Sequence, residues 1–504
     1  GNGAINLKID AEAEAEPQAN LTFIAPGTSL SIQGQTTLTA ANFLDGSYQV
    51  DLRSDDIEPL LLVNGQSLPQ MGSGLPLELT ATLYVTPDAI VAETIAGKAD
   101  VNAFSGNLAL TRAPSRLEGD LQLDTIDLAW LAENVFGPIQ GPDGGLSGAA
   151  LPVLAESGIE SSIALSAGAL TIGNLPAITT ASARLEHKTG ALRLSGLTGG
   201  FAEGRLSGAI ALSNASGSGL LQAKIDIADG DLATLLGVAI DRKIATGRAD
   251  LKLVLEASGK SVATLPENAS GSGQLILRNL EVSGLNQGAL PAILAEADRI
   301  KGEVNNAIVT PFLTRFLTGG TFAADRVAIP FTIAGGVLRA QNIVAGNAMA
   351  AISAGAEIDL ADNRLDVSLR IRFAAGDQAL AGAEPAVTLS ANGLLGDPGA
   401  SIEPTEMTNF LSLRKFEAER RRVEILQAGL MEKQRLRREA ALSKARAEER
   451  RRQRETAAAQ ARLMQAYQDI LREKAREAAA ERARTEAEQW IILPDGNIDG
   501  APVQ

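Results

Sequence analysis

The sequence predicts a mainly β protein: an elongated antiparallel β body with short helices and a long charged C-terminal α-helix. Three observations predict it. Apolar and polar residues alternate with a period of two from the first residues to about 403. Glycine is abundant, at 50 residues, while aromatic residues make up only 3%. Composition then changes abruptly at Pro404, beyond which Ala, Glu, Arg, Gln and Leu dominate.

Composition removes several classes of function. The chain has 504 residues, room for several domains of about 150 residues each. It starts at Gly1 with no charged n-region and apolar h-region behind it, so a segment of a longer protein is expected, with any signal or anchor upstream. The densest aliphatic run, Leu60-Leu61-Leu62-Val63, is far below the roughly 18 apolar residues of a membrane helix. Cys is absent and His187 is the one histidine, which excludes disulfides, a Cys nucleophile, and thiolate or multi-imidazole metal sites. His187 lies in Glu186-His187-Lys188-Thr189-Gly190, which reads as a solvated turn. Two Trp and three Tyr cannot furnish the aromatic girdles of an outer-membrane barrel. Carboxylates such as Asp55-Asp56 stand in acidic surface strings and carry little information. The expectation is a non-enzymatic protein with no cofactor and no metal.

The net charge of −15 is unevenly spread. Residues 411–490 hold 21 Lys/Arg and 14 Asp/Glu, while the remainder holds 24 against 46. Two different physical objects are joined.

Strands are read in order from the alternation. Ile5, Leu7 and Ile9 share a face at the start, as do Leu117, Leu121 and Leu123. In Ala249-Asp250-Leu251-Lys252-Leu253-Val254-Leu255-Glu256 the leucines take one side and Asp250, Lys252 and Glu256 the other. Leu365, Val367 and Leu369 repeat the pattern, and turn formers such as Asp45-Gly46, Thr189-Gly190 and Asp362-Asn363 separate the runs. An internal repeat runs beneath the alternation. Ser105-Gly106-Asn107-Leu108-Ala109-Leu110 returns as Ser207-Gly208-Ala209-Ile210-Ala211-Leu212, and Leu123-Asp124 as Ile225-Asp226, both 102 residues on. Leu128-Ala129-Trp130-Leu131 returns as Leu232-Ala233-Thr234-Leu235, two residues out of step, and a fainter copy involves Gly34 and Asp51 to Leu62. Each unit ends a strand with an acidic segment and a Leu-rich helical turn. Around 286–318 the period becomes helical, with Leu290, Ile293, Leu294, Ala297 and Ile300, then Phe312, Phe316 and Leu317, as packing stripes. The expected divisions are β-repeat units at 1–135 and 136–240, a β region with a helical insert at 241–403, the charged helix at 404–490, and a flexible tail at 491–504.

That helix shows i,i+4 pairs at Glu417–Arg421 and Glu448–Arg452, and a heptad step at Phe416, Val423 and Leu430. A second cluster is Leu463, Tyr467, Ile470 and Leu471, but the seam lapses at Arg437 and Lys444 between them. A solvated helix, a partner helix and docking on anionic head groups all remain open. Mixed charge and missing stacking aromatics leave no expectation of nucleic acid.

From about 225 the motif order becomes recognisable. Asp229-Gly230-Asp231-Leu232-Ala233-Thr234-Leu235-Leu236 leads to Gly247-Arg248-Ala249-Asp250-Leu251, then Ala257-Ser258-Gly259, Ser270-Gly271-Ser272-Gly273, Gly336-Val337-Leu338-Arg339 and Gly355-Ala356-Glu357-Ile358-Asp359-Leu360. This order resembles the C-terminal region of AsmA-like proteins. Phe410-Leu411-Ser412-Leu413-Arg414, Arg420-Arg421-Arg422-Val423-Glu424 and Glu432-Lys433-Gln434-Arg435 look like the tail of alphaproteobacterial members. The resemblance covers about residues 90–440. It implies the periplasmic portion of an inner-membrane-anchored envelope protein of Gram-negative cells, with a β-groove body and a role in outer-membrane assembly or lipid movement.

A groove would address a definite physical problem. Each exposed CH₂ costs about 0.8 kcal/mol, so a phospholipid with about 30 of them risks on the order of 20 kcal/mol in water. The expected partners are phospholipid acyl chains, the membrane, and contacts through the 404–490 helix. The lining expected is Leu108, Leu110, Leu121, Leu123, Leu251, Leu253, Leu255, Leu365, Val367 and Leu369. The same strands can instead close face to face as a dry sandwich; the family resemblance favours the groove. The alternative function is a structural periplasmic scaffold, or a regulator of membrane-protein targeting and assembly, that conducts no lipid. A β-helix passenger predicts rungs of about 20 residues, against a repeat near 100 here.

Overall fold

The computed structural model describes residues 3–10, 17–37, 44–63, 68–153, 159–237, 244–445 and 450–489. Alternating sequence becomes strand throughout the body. The first eight strands are β1 Ala4–Asp10, β2 Gln18–Ala25, β3 Thr28–Thr36, β4 Gly46–Ser54, β5 Leu77–Val85, β6 Ala89–Ala99, β7 Asn102–Arg112 and β8 Ser115–Asp127. Helix α1 (Glu58–Val63) follows β4, and α2 (Leu128–Phe136) follows β8. Next come β9 Glu160–Thr171, β10 Ile178–Lys188, β11 Ala191–Phe201, β12 Gly204–Ala215 and β13 Ser218–Asp231, then α3 (Leu232–Gly237). β14 Ala245–Gly259 and β15 Ser270–Ser283 precede α4 (Leu290–Ala297) and α5 (Asn306–Thr318). β16 Thr321–Ala334, β17 Val337–Gly346, β18 Ala350–Asp359, β19 Arg364–Phe373, β20 Ala386–Leu394 and β21 Asp397–Glu403 complete one 21-stranded sheet. The charged tail forms α6 (Thr405–Ala445) and α7 (Arg450–Gln489). The sheet is open, as expected from the sequence.

From β1 to β18 each strand pairs with its chain neighbours, antiparallel at every step but one. The exception is β9, which runs parallel to β8 with Arg116 opposite Glu160 and Asp127 opposite Thr171. A parallel neighbour obliges the chain to return to the rim where the previous strand began, and the described part of that connection is α2 with residues 137–153. Consequently β4, β8 and β13 all end on one rim. Each is followed by a helix with an Asp cap: Asp56 accepts from Glu58 N, Asp127 from Ala129 N and Asp231 from Thr234 N. The 102-residue repeat corresponds to β7–β8–α2 and β12–β13–α3.

Bulges keep the faces in phase. In β6 the apolar positions change parity, Ile90 and Ala92 giving way to Ile95 and Gly97. The extra residue lies between Ala92 and Ile95, where Thr94 takes φ +49°. β13 does the same between Ile227 and Gly230 with Asp229 at φ +59°. Side chains hold both: Asn107 Oδ1 accepts from Thr94 N at 3.1 Å and Asp250 Oδ1 from Asp229 N at 2.8 Å. Glycines tighten the coil. At Gly271, opposite Leu255, the carbonyl oxygen of Val254 sits 2.2 Å from where a Cβ would be.

The chain divides into two compact units. The first contains Gly1–Gln287, Leu317–Ile371 and Thr388–Ile402, and holds the sheet. Its main core is centred on β9–β12 and α2, with Val135, Ile178, Leu194 and Leu197 at 0–1% exposure. The second contains Gly288–Phe316, Arg372–Val387 and Glu403–Gln504. Here Ile293, Val309, Leu313, Met407 and Phe410 are fully buried. Lys415 Nζ donates to the Ile300 and Gly302 carbonyls at 2.7 and 2.6 Å, and Ser412 to that of Val304 at 3.2 Å. Beyond this anchorage the apolar side chains of α6 face solvent, with Phe416 at 66% and Leu430 at 60%. The tail expected at 491–504 lies outside the described residues.

Asn214 ties α2 down. It is buried, its Nδ2 donates to the Val135 carbonyl at 2.9 Å and the Pro152 carbonyl at 2.8 Å, and its Oδ1 accepts from Gly217 N at 2.9 Å. Asn214→Ala leaves these groups unpaired, so a loss of about 2–4 kcal/mol is expected, read as a lower urea midpoint at unchanged slope.

Candidate functional site

Cross-strand register decides which side chains share a face, because partners point the same way. Following it from β1, Ile5 faces Phe23, Phe23 faces Leu30, Leu30 faces Leu52 and Leu52 faces Leu79. Leu79 faces Gly97, Gly97 faces Phe104 and Phe104 faces Leu123. Across the parallel joint Leu123 faces Ala167 and Leu121 faces Leu165. Beyond the next strands, Leu194 faces Ile210, Ile225 faces Leu253, Leu251 faces Leu275 and Leu275 faces Ile329. The apolar face reaches β18 where Leu338 meets Ile358. One surface is therefore apolar across eighteen strands, a path of about 80 Å at about 4.8 Å per strand. Its reverse carries Lys8, Asp51, Glu118, Asp226 and Lys252.

The ten residues expected to line a groove fall on four strands. Leu108 and Leu110 are on β7, Leu121 and Leu123 on β8, Leu251, Leu253 and Leu255 on β14, and Leu365, Val367 and Leu369 on β19. All ten are half-buried, neither enclosed nor fully in water. The β7–β8 set is brought directly together, with Leu121 opposite Gly106 and Leu108 opposite Gly119. The β14 set is reached through β9–β13, and β19 belongs to the same sheet further along.

Sequence reasoning passed over two features. It did not enrol β1–β5, whose Leu21, Ile32, Val50 and Leu79 continue the face; the alternation in these strands was the available signal. It also took α2 for a short turn. Leu131, Val135 and Phe136 of this helix are buried against the apolar face in one cluster with Leu165, Leu170 and Leu194. The space left there is an apolar-lined cavity of about 10 Å³ bordered by Ile126, Leu131, Leu165 and Leu194, room for at most one water. Across β9–β12 the sheet thus has a second layer. The sheet stays open, and the layer over β9–β12 is a helix rather than the second sheet of the dry sandwich.

Asp56, one of the acidic pair noted in the sequence, serves locally as a cap, its Oδ1 also accepting from Leu75 N at 3.1 Å. His187 corrects an expectation. It is the penultimate residue of β10 rather than part of a turn, opposite Ser161 and Leu192 on the apolar face. Burial disfavours the imidazolium and pushes its pKa below the ordinary 6.5.

These features define a class: a β-scaffold built as one long open sheet with a single apolar face. Residues 153–320 match the model of the AsmA family, and the match supports an AsmA-like assignment for that region. The match starts earlier and ends earlier than the motif run from about 225 to 373. No curated protein and no solved structure matches the chain. Among the described residues no helix is long and apolar enough to cross a membrane. The match supports an envelope or outer-membrane-biogenesis type of role.

The His187 shift has a sign. The folded chain resists protonation of His187 and the unfolded chain accepts it near pH 6.5. Stability from this site is complete above that value and is lost as pH falls through 6.5 towards the depressed folded pKa. Between pH 7.5 and 5.5 the urea midpoint of the wild type is expected to fall further than that of His187→Gln.

Proposed function

We propose that this chain is a non-enzymatic periplasmic scaffold that holds phospholipid acyl chains on the apolar face of its sheet and so contributes to outer-membrane assembly. The observation that carries the reading is the face itself. It is uninterrupted in register, yet its expected lining stays half-exposed where a finished core would be closed. Soluble proteins rarely expose an apolar surface of this extent without a ligand for it. Between the chain ends of these strands the face offers hydrocarbon rather than charge, which suits an acyl chain and is indifferent to the head group. Glycine kinks such as Gly271 let the sheet coil around such a ligand.

A second reading has its own observation. The layer that α2 lays over β9–β12 is what a purely structural scaffold, or a regulator of membrane-protein targeting, needs. The exposed apolar positions of α6 and α7, such as Leu430 and Leu463 at 60% and 67%, suit contact with a partner protein or membrane surface.

Mass spectrometry of lipid retained after mild purification separates the two. The double variant Leu52→Asp, Leu79→Asp, which places charge on the open β4–β5 part of the face, is expected to keep its β circular dichroism and lose most co-purifying phospholipid. A folded variant with wild-type lipid content rules out acyl holding and leaves the scaffold.

A further inference from the structure

The exposure of the apolar face is not uniform, and the change falls at one place. On the eight strands β1–β8 the buried apolar side chains are Tyr48, Ala81, Ile95 and Ile126. The four strands β9–β12 hold twelve. At the outer end of the first stretch Ile5 is 72% and Leu7 53% exposed. The step from open to closed is centred on the parallel β8–β9 joint, with Leu108 of β7 and Leu117, Leu121 and Leu123 of β8 packed half-buried against the closed side.

The joint explains the step. An antiparallel hairpin turns at the rim and leaves both faces free, whereas a parallel neighbour needs a crossover that passes over one face. Here the crossover takes the apolar side. α2 leaves the end of β8 capped by Asp127 and reaches the β12–β13 hairpin, where Asn214 binds the Val135 carbonyl. The segment after it is fixed to the loop behind β14, with Leu151 N donating to the Lys260 carbonyl and Ala263 N to the Ser147 carbonyl, both at 2.9 Å. Phe136 and Leu151 close over Gly219, where an added Cβ would lie 3.1 and 2.5 Å from them. Where Leu131 meets Ile126, Leu165 and Leu194 the cavity beneath this helix is about 10 Å³, too small for a hydrocarbon chain.

We propose that α2 is a fixed stop: the acyl seat is the β1–β8 stretch of the apolar face, and ligand ends at β9 because the chain's own Leu131, Val135 and Phe136 occupy the face beyond. The proposal rests on the acyl-holding reading above. It adds to it a location and a limit: the seat is about 34 Å wide across its strands, and the face does not serve as a through passage while α2 is seated. The occupant is a hydrocarbon chain, because the rows through Leu21, Ile32, Val50, Leu79 and Leu108 present no charged side chain to recognise anything else.

The test uses the full chain with vesicles of phosphatidylethanolamine and phosphatidylglycerol doped with a phosphatidylcholine bearing a diazirine in one acyl chain. After irradiation, labelled peptides are mapped by mass spectrometry. Label on β2–β8, around Leu21, Leu79 and Leu108, is expected to exceed label on β9–β12, around Leu165, Leu194 and Ile210, by at least tenfold. The variant Leu131→Asp, Val135→Asp, which unseats the helix, is expected to raise β9–β12 labelling to the β2–β8 level. Equal labelling of both stretches in the wild type overturns the stop and leaves acyl holding intact, as does a folded variant in which β9–β12 stays unlabelled. Absence of label on every strand overturns acyl holding, and the stop with it. Should the variant fail to fold by circular dichroism, the wild-type pattern alone decides. Amide exchange of α2 is expected to be unchanged on adding the vesicles; loss of its protection overturns a fixed stop.

Discussion

Everything in the body depends on register. With a side-chain period of two, a slip of one residue between any two strands would send the rest of the apolar set to the charged side. The chain meets this constraint by matching its bulges to its own phase errors. Where the apolar parity changes within a strand, as between Ala92 and Ile95 or between Ile227 and Gly230, an extra residue is inserted at that point. The extra residue adopts a left-handed backbone, and a carboxylate or amide from the next strand takes its free N–H. At Asp229 the arrangement is reinforced, since Arg278 bridges Asp229 and Asp250 at 3.1 and 2.8 Å. These charges are partly exposed, so their contribution to global stability is small. Their effect is local: they decide where the bulge sits, and through it which side of the sheet the following residues face.

A face maintained with such consistency is normally the inside of something. Two-layer construction is the usual solution for an amphipathic sheet, and this chain supplies the second layer over part of it. α2, the loop through Leu151 and the two helical turns at Val262–Thr264 and Pro266–Asn268 cover the middle of the sheet. That core gives the long sheet a rigid centre. Burying side chains such as Val135 and Phe136 contributes about 1.5–3 kcal/mol each relative to exposure. Among the described residues the strands on the N-terminal side carry no such layer, which is why the functional reading concentrates there.

Much of this was legible in the sequence, for reasons that can be named. Alternation in Leu251-Lys252-Leu253 and Leu365-Asp366-Val367 marks one-sided strands directly, because antiparallel sheets solvate one face. The 102-residue repeat located β7–β8–α2 and β12–β13–α3, since both copies solve the same problem of ending a hairpin on one rim with a capped helix. What was not legible depends on contacts distant in sequence. The parallel pairing of β8 with β9 leaves no local trace, and without it α2 looks like the twin of α3. The difference is visible only in composition: α2 carries Trp130, Leu131, Val135 and Phe136 and buries three of them, whereas Leu232 is the buried residue of α3. His187 was misplaced for a related reason. The Thr189-Gly190 turn was recognised, but the strand runs to Lys188, and alternation from Leu185 assigns His187 to the apolar side.

The second unit shows the same economy at a smaller scale. Met407, Phe410 and Leu411, all in the opening turns of α6, are buried, while Arg414 and Lys415 spend their charge on Asp298 and on the carbonyls of Ile300 and Gly302. The helix is therefore fixed by about its first ten residues and needs no further tertiary contact to start. Past that point its apolar residues are too widely spaced, and its basic residues too frequent, to form the continuous seam of a coiled coil. Phe416, Val423 and Leu430 keep the heptad step but sit 47–66% exposed. A helix so firmly anchored at one end and so incompletely buried along its length has the properties of a projecting arm. In this the helix resembles the β1–β8 stretch of the sheet: each presents apolar side chains over which the described residues lay no protein layer.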